Sequence, residues 1–166
     1  QAQALTGIAR FISSMGSVPA IQLAHAGRKA SMQRPWHGNG PLDDSDRARG
    51  DEPWPVVGPS AIALGEGWLV PSEMTQAEIA QVVEDFAAAA RRADNAGFGI
   101  AEVHAAHGYL AASFLSPISN HRTDIYGGDR AGRSRMLLET AEAVRAAWPH
   151  DKPLFVRVSA VDGAPQ

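Results

Sequence analysis

Three short apolar segments, each carrying a strongly polar side chain, constrain the fold of this chain more than any other feature. They are PAIQLAH, GIAEVH and PLFVRVS, at residues 19–25, 99–104 and 153–159. Because their hydrophobicity is continuous rather than alternating, we interpret them as parallel strands that are buried on both faces. Two helical stretches separate them, so we expect an α/β fold with right-handed crossovers.

The helices are predicted from apolar spacing and from capping residues. The N-terminal stretch has the apolar stripe of a packed helix, formed by Leu5, Ile8, Phe11, Ile12 and Met15. A second helix is predicted to begin after Thr75, with Glu78 at the capping-box position, and to stop at Gly97. A third is predicted from about Arg130 to Trp148.

Two long segments do not fit a minimal strand–helix unit. The first lies between Ser31 and Ser72 and is rich in Pro, Gly and Asp. A structureless loop of this length is either functional or disordered, and Trp36 and Trp54 argue against disorder. The second is LSPISNHRTDIYGGDR, after the second strand. Both segments follow the carboxyl ends of strands, where parallel α/β sheets carry their active sites.

Composition narrows the classes of protein to consider. The chain has 166 residues, enough for one domain with a core, and a net charge of −3, which gives no reason to expect nucleic acid or an anionic membrane. It contains no cysteine, which excludes disulfides, thiolate metal sites and a cysteine nucleophile within it. It lacks an apolar run of about 18 residues and a signal-peptide pattern, so we expect a cytoplasmic protein.

The ends of the chain predict a piece of a longer domain. The sequence begins without Met, already within a helical pattern, and closes a few residues after an apolar strand. We therefore expect residues 1–166 to be the central portion of one domain.

Each predicted strand carries a polar residue that needs a partner: Gln22, His104 and Arg157. A buried amide or guanidinium without a partner costs several kcal/mol, and arginine cannot lose its proton to avoid that cost. We expect a polar ligand here, at least partly anionic near Arg157. Internal pairing, of Arg157 with Glu102 and of Gln22 with backbone, is an open alternative.

The stretch EVHAAHGYL places His104, His107 and Tyr109 at the end of the second strand. Two neutral histidines can donate N–H groups to one carbonyl or nitro oxygen and polarise it, and a tyrosine can supply a proton. A metal-dependent hydrolase that uses the two histidines is an alternative, but the third ligand would have to be His25 or His121, with no recognisable spacing. A second alternative is that both residues are core histidines whose hydrogen bonds are satisfied within the protein.

A basic cluster of His25, Arg28 and Lys29 follows the first strand. It either binds an anionic cofactor or is simply solvated. The chain has no GxGxxG and no Walker A motif, so the phosphate of any phosphorylated cofactor would be held elsewhere.

Several stretches together resemble the old yellow enzyme family, in its bacterial subgroup of ene-reductases and xenobiotic reductases. They are IQLAHAGRKAS, PSAIA, VPSEMT, PLFVRVSA and the long run from FAAAARRADNAGFGIAEVHAAHGYL through FLSPISNHRTDIYGGDRAGRSR. The resemblance covers residues 19–160 in the family's order. It implies a (β/α)8 TIM barrel, of which this chain would supply about strands 3 to 5.

The resemblance also implies roles for individual residues. Gln22 and Arg157 would bind the pyrimidine edge of FMN, with Arg157 stabilising the negative charge of the reduced flavin. His104 and His107 would bind the carbonyl or nitro group of the substrate, and Tyr109 would donate the proton. NADPH or NADH would reduce FMN, which would pass hydride to the β carbon of an activated alkene. The full-length protein would be a homo-oligomer.

The chain departs from the family's pattern in two ways. YGG is followed by DRAGRSR, with Gly132 where the family has Asn, so we expect the helix to begin as predicted but with altered capping. Three strands cannot close a barrel, so we expect the isolated chain to bind FMN poorly and to be inactive. A non-catalytic truncated fragment, and a dienoyl-CoA reductase of the same family, stay open.

Overall fold

The computed structural model describes residues 2–162. Its helices are α1 (Ala2–Ser14), α2 (Asp44–Ala48), α3 (Gln76–Asn95), α4 (Leu110–Leu115) and α5 (Arg130–Ala147). Its strands are β1 (Ala20–Leu23), β2 (Val57–Gly58), β3 (Ser72–Glu73), β4 (Ile100–Ala105) and β5 (Leu154–Val158). No helix in this part of the chain is both long enough and apolar enough to cross a bilayer.

The three predicted strands form one parallel sheet in the order β1–β4–β5. The chain passes through α3 between β1 and β4, and through α5 between β4 and β5. These two helices pack against each other and, with alternate residues of the strands, form the apolar core. The prediction of a parallel α/β arrangement is therefore confirmed.

Local capping explains where α3 begins and ends. The side chain of Thr75 accepts a hydrogen bond from the Glu78 N–H, and the Glu78 carboxylate accepts one from the Thr75 N–H at 2.7 Å. This is the predicted capping box. At the other end, Gly97 has a φ of 93°, a left-handed conformation that favours glycine and stops the helix.

The start of α5 is also confirmed, and its cap is Asp129. The Asp129 carboxylate accepts a hydrogen bond from the Gly132 N–H at 2.8 Å. A side chain at position 132 would overlap the carbonyl oxygen of Gly127. Glycine therefore allows the YGG turn to lie directly against the first turn of the helix.

The expectation that the strands are buried on both faces is wrong. Ala101, Val103 and Ala105 have no exposed surface, because α3 and α5 cover their face of the sheet. On the opposite face Phe155 is 53% exposed, although His104 on the same face is buried. Residues 101–105, AEVHA, in fact alternate between small or apolar and polar side chains, which is the pattern of a strand with two different faces.

The apolar stripe of α1 is only partly packed. The helix itself is confirmed, and Ala9 is buried against the core. However, Ile8, Phe11 and Met15 are exposed in the described structure, so the expectation of a fully packed stripe is wrong for these residues.

The segment between Ser31 and Ser72 is not structureless. It contains α2, and β2 pairs in parallel with β3. Trp36 and Trp54 do not organise it, because Trp36 is 74% exposed and Trp54 is also exposed. Polar contacts do so instead: the buried Asp46 carboxylate accepts hydrogen bonds from Gln33 Nε2 at 2.8 Å and from the Asp43 N–H at 2.9 Å.

Between β4 and the second long segment lies α4, which the sequence analysis missed, and the segment itself contains a buried arginine. Arg122 Nη1 donates to the carbonyl oxygens of Pro59 at 3.0 Å and Met74 at 2.6 Å, and its guanidinium also forms a bidentate ion pair with Asp124. The hydrogen bonds from Arg122 lower the pKa of the Asp124 carboxyl group well below its usual range. Arg122 thus joins the two long segments to each other.

Candidate active site

Strand register places the predicted polar residues on one face of the sheet. Gln22 lies beside Glu102, and His104 lies beside Arg157. Partners in adjacent parallel strands point to the same side, as do residues two apart along one strand. All four side chains therefore share the face that α3 and α5 do not cover, which we call the inner face.

Internal pairing on the inner face differs from the predicted alternative. Gln22 Nε2 donates a hydrogen bond to Glu102 Oε1, so Glu102 pairs with Gln22 rather than with Arg157. Within residues 2–162 Arg157 forms no ion pair and no side-chain hydrogen bond, and it is exposed. Its guanidinium is a cation on the inner face that is free to meet an anionic group.

His104 is held as a neutral hydrogen-bond donor. Its ring is buried, with the residue 3% exposed, and Nδ1 accepts a hydrogen bond from the Ala106 N–H at 3.3 Å. Burial lowers the pKa of His104, and the nearby His107 and Arg157 lower it further, while Glu102 acts in the opposite direction. Since Nδ1 is an acceptor, the neutral ring carries its proton on Nε2.

His107 lies in a strained turn just beyond β4. Its φ is 58° and that of Gly108 is 69°, so two successive residues are left-handed. This conformation costs a non-glycine residue about 1–2 kcal/mol, although histidine tolerates it better than most side chains. The His107 side chain is exposed.

Tyr109 completes a compact cluster with the two histidines. Its ring centroid lies 4.9 Å from that of His104, with the planes at 87°. The His104 and His107 centroids are 5.1 Å apart, with the planes at 82°. The structure therefore brings together the three residues that the sequence analysis selected. Tyr109 is also the N-cap residue of α4, so the start of that helix fixes its backbone.

Two residues that contact this cluster were not recognised as such from the sequence. Lys29 Nζ donates to the His107 carbonyl oxygen at 2.6 Å and lies 5.8 Å from the Tyr109 ring centroid. The His107 N–H donates to Ser159 Oγ at 3.2 Å. The only signal in the sequence was that both are polar residues at the carboxyl ends of predicted strands.

The basic cluster after β1 is not simply solvated. Arg28 Nη1 donates to the carbonyl oxygens of Ile62 at 3.0 Å and Ala63 at 3.2 Å, and burial lowers the pKa of Arg28. His25 Nδ1 accepts from the Gly27 N–H at 3.0 Å, and burial also lowers the pKa of His25. Arg28 therefore anchors the long segment to the end of β1, whereas the His25 contact is local.

The alternative of a metal-dependent hydrolase has no geometric support. No three His, Cys, Asp or Glu side chains within residues 2–162 are arranged to hold one metal ion. Neither His25 nor His121 joins His104 and His107 in such a group. One nitrogen of His104 is moreover already occupied by the Ala106 N–H.

Space for a small molecule adjoins the cluster. A cavity of about 420 Å³ lies beyond the ends of β4 and β5, and its lining includes Lys29, His107, Ser116, Ser159 and Asp162. Part of the wall is fixed by a hydrogen bond of 2.7 Å from Ser116 Oγ to Asp162 Oδ2.

Parallel strands that carry their helices on one face form part of a (β/α)8 barrel, with His104, His107 and Tyr109 near the carboxyl end of β4. This is the fold class that the sequence predicted. The chain belongs to the NADH:flavin oxidoreductase / NADH oxidase family, because the sequence model of that family matches residues 1–166.

Individual relatives agree with this assignment. The chain is 48% identical over 151 residues to an NADPH dehydrogenase of Bacillus velezensis, covering 91% of this chain and 38% of the relative. Morphinone reductase has a similar structure, with a TM-score of 0.78, 28% identity, and coverage of 95% of this chain and 42% of that chain. A variant of that enzyme in complex with tetrahydroNAD gives a TM-score of 0.76 at 29% identity and covers 95% and 43%. The chain thus spans about two fifths of the length of these relatives.

Proposed function

We propose that the complete protein containing this sequence is an FMN-dependent NADPH dehydrogenase that reduces activated alkenes. The observation that supports the proposal is the joint position of His104, His107 and Tyr109 beside Arg157, which has no ion-pair partner within residues 2–162. The names of the family and of the relatives support the general class, an oxidoreductase that uses a flavin and a nicotinamide nucleotide. In this proposal residues 1–166 are the central portion of the barrel domain of a cytoplasmic homo-oligomer.

The donor set on the inner face fits a flavin. A guanidinium that has no partner in the described part of the chain suits the pyrimidine edge of FMN, where the reduced ring is negatively charged. Arg157 would hold that edge, and Gln22, whose amide keeps a carbonyl oxygen and a second N–H beside its bond to Glu102, would contact the same edge. When bound and reduced by NADPH or NADH, FMN supplies hydride to the β carbon of the alkene.

The histidines would bind the activating group of the substrate. His104 offers Nε2–H from a neutral ring, and His107 offers a second N–H from the turn. Two donors aimed at one carbonyl or nitro oxygen stabilise the charge that develops on it during reduction, because they are already oriented and partly shielded from water. Each such donor contributes on the order of 10²-fold in rate.

Tyr109 would complete the reaction as the proton donor. A phenol next to the bound oxygen can deliver its proton to the α carbon, the position that becomes electron-rich after reduction at the β carbon. Its backbone is fixed at the start of α4, and its ring lies edge-on to His104. The position of the Tyr109 ring is therefore set by the start of α4 and by its contact with His104.

An anaerobic assay of the complete protein tests this proposal. The purified protein is expected to be yellow and to oxidise NADPH in the presence of cyclohexenone, a maleimide or a nitroalkene. His104→Ala should lower kcat/KM on the order of 10²-fold at unchanged flavin content. His150→Ala, which changes an exposed histidine after α5, is the matched control and should have no effect. A colourless protein, or reduction that is indifferent to His104, would overturn the proposal.

A further inference from the structure

The backbone of His107 is held on both sides by side chains from the neighbouring strand ends. Its N–H donates to Ser159 Oγ at 3.2 Å, and its carbonyl oxygen accepts from Lys29 Nζ at 2.6 Å. Ser159 directly follows β5, and Lys29 lies six residues beyond β1. The two contacts reach the same residue from opposite edges of β4.

This residue is the one in the cluster that most needs such support. His107 and Gly108 are both left-handed, a conformation that continues neither a strand nor a helix. The side chain is exposed, and its described ring contact is the edge-on approach to His104. Because little packing holds the imidazole, the backbone orientation determines where its N–H points.

The loop that carries Lys29 is itself fixed to the start of α4. The Leu110 N–H donates to the His25 carbonyl oxygen at 2.9 Å. Gly27 has a φ of 58°, and a Cβ on it would lie 3.0 Å from Leu110 Cα. The close approach of these two backbones sets the position of Lys29 relative to the turn.

We propose that Lys29 and Ser159 are positioning residues, which hold His107 in its left-handed conformation so that its imidazole faces the ring of His104. The conformational part depends only on the geometry of this chain. The catalytic consequence, a well-aligned pair of N–H donors, rests on the proposed function. Loss of either contact should leave flavin and fold in place but misalign the second donor.

The test uses the complete protein with Ser159→Ala, Lys29→Met and the double variant. The probe is 4-nitrophenolate, whose anionic oxygen needs the same two donors, and its binding to the oxidised protein is followed by absorbance. Each single variant should weaken binding about 3- to 10-fold, the equivalent of one lost hydrogen bond, and raise KM for cyclohexenone more than it lowers kcat. Ser159→Thr and Lys29→Arg keep the hydrogen-bonding group and should restore binding.

Matched controls come from the same chain. Lys152→Met removes the other lysine, which binds the Asp94 carboxylate at 2.6 Å and the Phe98 carbonyl oxygen at 2.9 Å. Ser134→Ala removes a hydroxyl that donates to the Arg130 carbonyl oxygen within α5. Neither should change phenolate binding.

A crystal structure of the double variant separates this inference from the proposed function. His107 is expected to leave the left-handed region and its ring to move away from His104, whether or not the protein binds flavin. If φ stays near 58° and the ring stays in place, or if phenolate binding is unchanged in a protein with normal flavin content, the positioning role is overturned. A protein without flavin but with a displaced His107 would count against the proposed function alone.

Discussion

The two faces of β4 are made from alternate residues of one strand, yet they have opposite properties. On the covered face, Ala101, Val103 and Ala105 have no exposed surface and pack beneath α3 and α5. On the inner face, Glu102 and His104 are polar, and each is matched by a polar residue on a neighbouring strand. The covered face supplies packing energy, and the inner face supplies hydrogen-bonding groups held at fixed spacings.

This difference explains how polar groups can be tolerated inside a sheet. The cost of removing amide, imidazole and guanidinium groups from water is offset only where they find partners. Gln22 and Glu102 partner each other, and His104 uses the Ala106 N–H. Arg157 has no such partner within residues 2–162, but it is exposed, so its guanidinium stays solvated there.

The comparison predicts its largest effect for a charge placed on the covered face. Val103→Asp would bury a carboxylate among apolar side chains, and we expect the free energy of unfolding of the complete protein to fall by about 4 kcal/mol or more. Its neighbour provides the control: Glu102→Gln on the inner face keeps the shape and a hydrogen-bond acceptor for Gln22, so the change should stay within about 1 kcal/mol. Urea denaturation measures both, and equal losses would contradict the assignment of the faces.

The elements that the sequence predicted correctly depend on local signals. The capping box at Thr75 and Glu78, and the stop at Gly97, lie within a few residues of the helix ends that they determine. His104, His107 and Tyr109 could be selected together because they lie close together in the sequence, at the end of β4 and in the turn that leads to α4. A pattern of a few residues depends on local geometry alone, so the sequence is sufficient to predict these helix ends and to select these neighbouring residues.

The features that it missed depend on contacts between distant residues. Lys29 reaches His107 across 78 residues, and Ser159 reaches it across 52. Arg28 holds the segment after β1 through a carbonyl 34 residues away. No spacing rule records such contacts, because they exist only once the strand ends are brought side by side. The pairing of Glu102 with Gln22 rather than Arg157 was missed for the same reason.

The second prediction contrasts the two tyrosines of the chain. Tyr109→Phe should lower the rate of alkene reduction on the order of 10²-fold, because it removes the proposed proton donor, and should leave flavin reduction by NADPH nearly unchanged. Tyr126 lies in the second long segment, where its hydroxyl donates to Glu139 Oε2 at 2.9 Å. Tyr126→Phe should instead lower thermal stability and leave kcat unaltered. Stopped-flow measurement of the two half-reactions distinguishes these outcomes, and a loss confined to flavin reduction would contradict the role of Tyr109.

The third prediction concerns pH. In the folded protein the pKa values of His104 and His25 are lowered, chiefly by burial, so between those values and about 6.5 the unfolded chain binds protons that the folded chain does not. Stability should therefore be greatest above about pH 6.5 and fall as the pH decreases, with each histidine contributing up to about 1.4 kcal/mol per pH unit. His104→Gln should reduce this slope, whereas His150→Gln should not. A slope that is unaffected by His104→Gln would show that this ring protonates freely in the fold.

The smallest predicted effect lies at the start of a covering helix. Thr75→Ala removes the side chain that caps α3 and should lower the free energy of unfolding by about 1 kcal/mol, while Thr75→Ser should restore most of it. The next residue, Gln76, donates to Asp124 Oδ2 at 3.2 Å, so the start of α3 also touches the segment after α4. If the covered face provides only packing, kcat and KM for alkene reduction should not change. A Thr75→Ala variant of full stability but altered KM would instead mean that the start of α3 affects the candidate active site. The covered face would then contribute to the site as well as to packing.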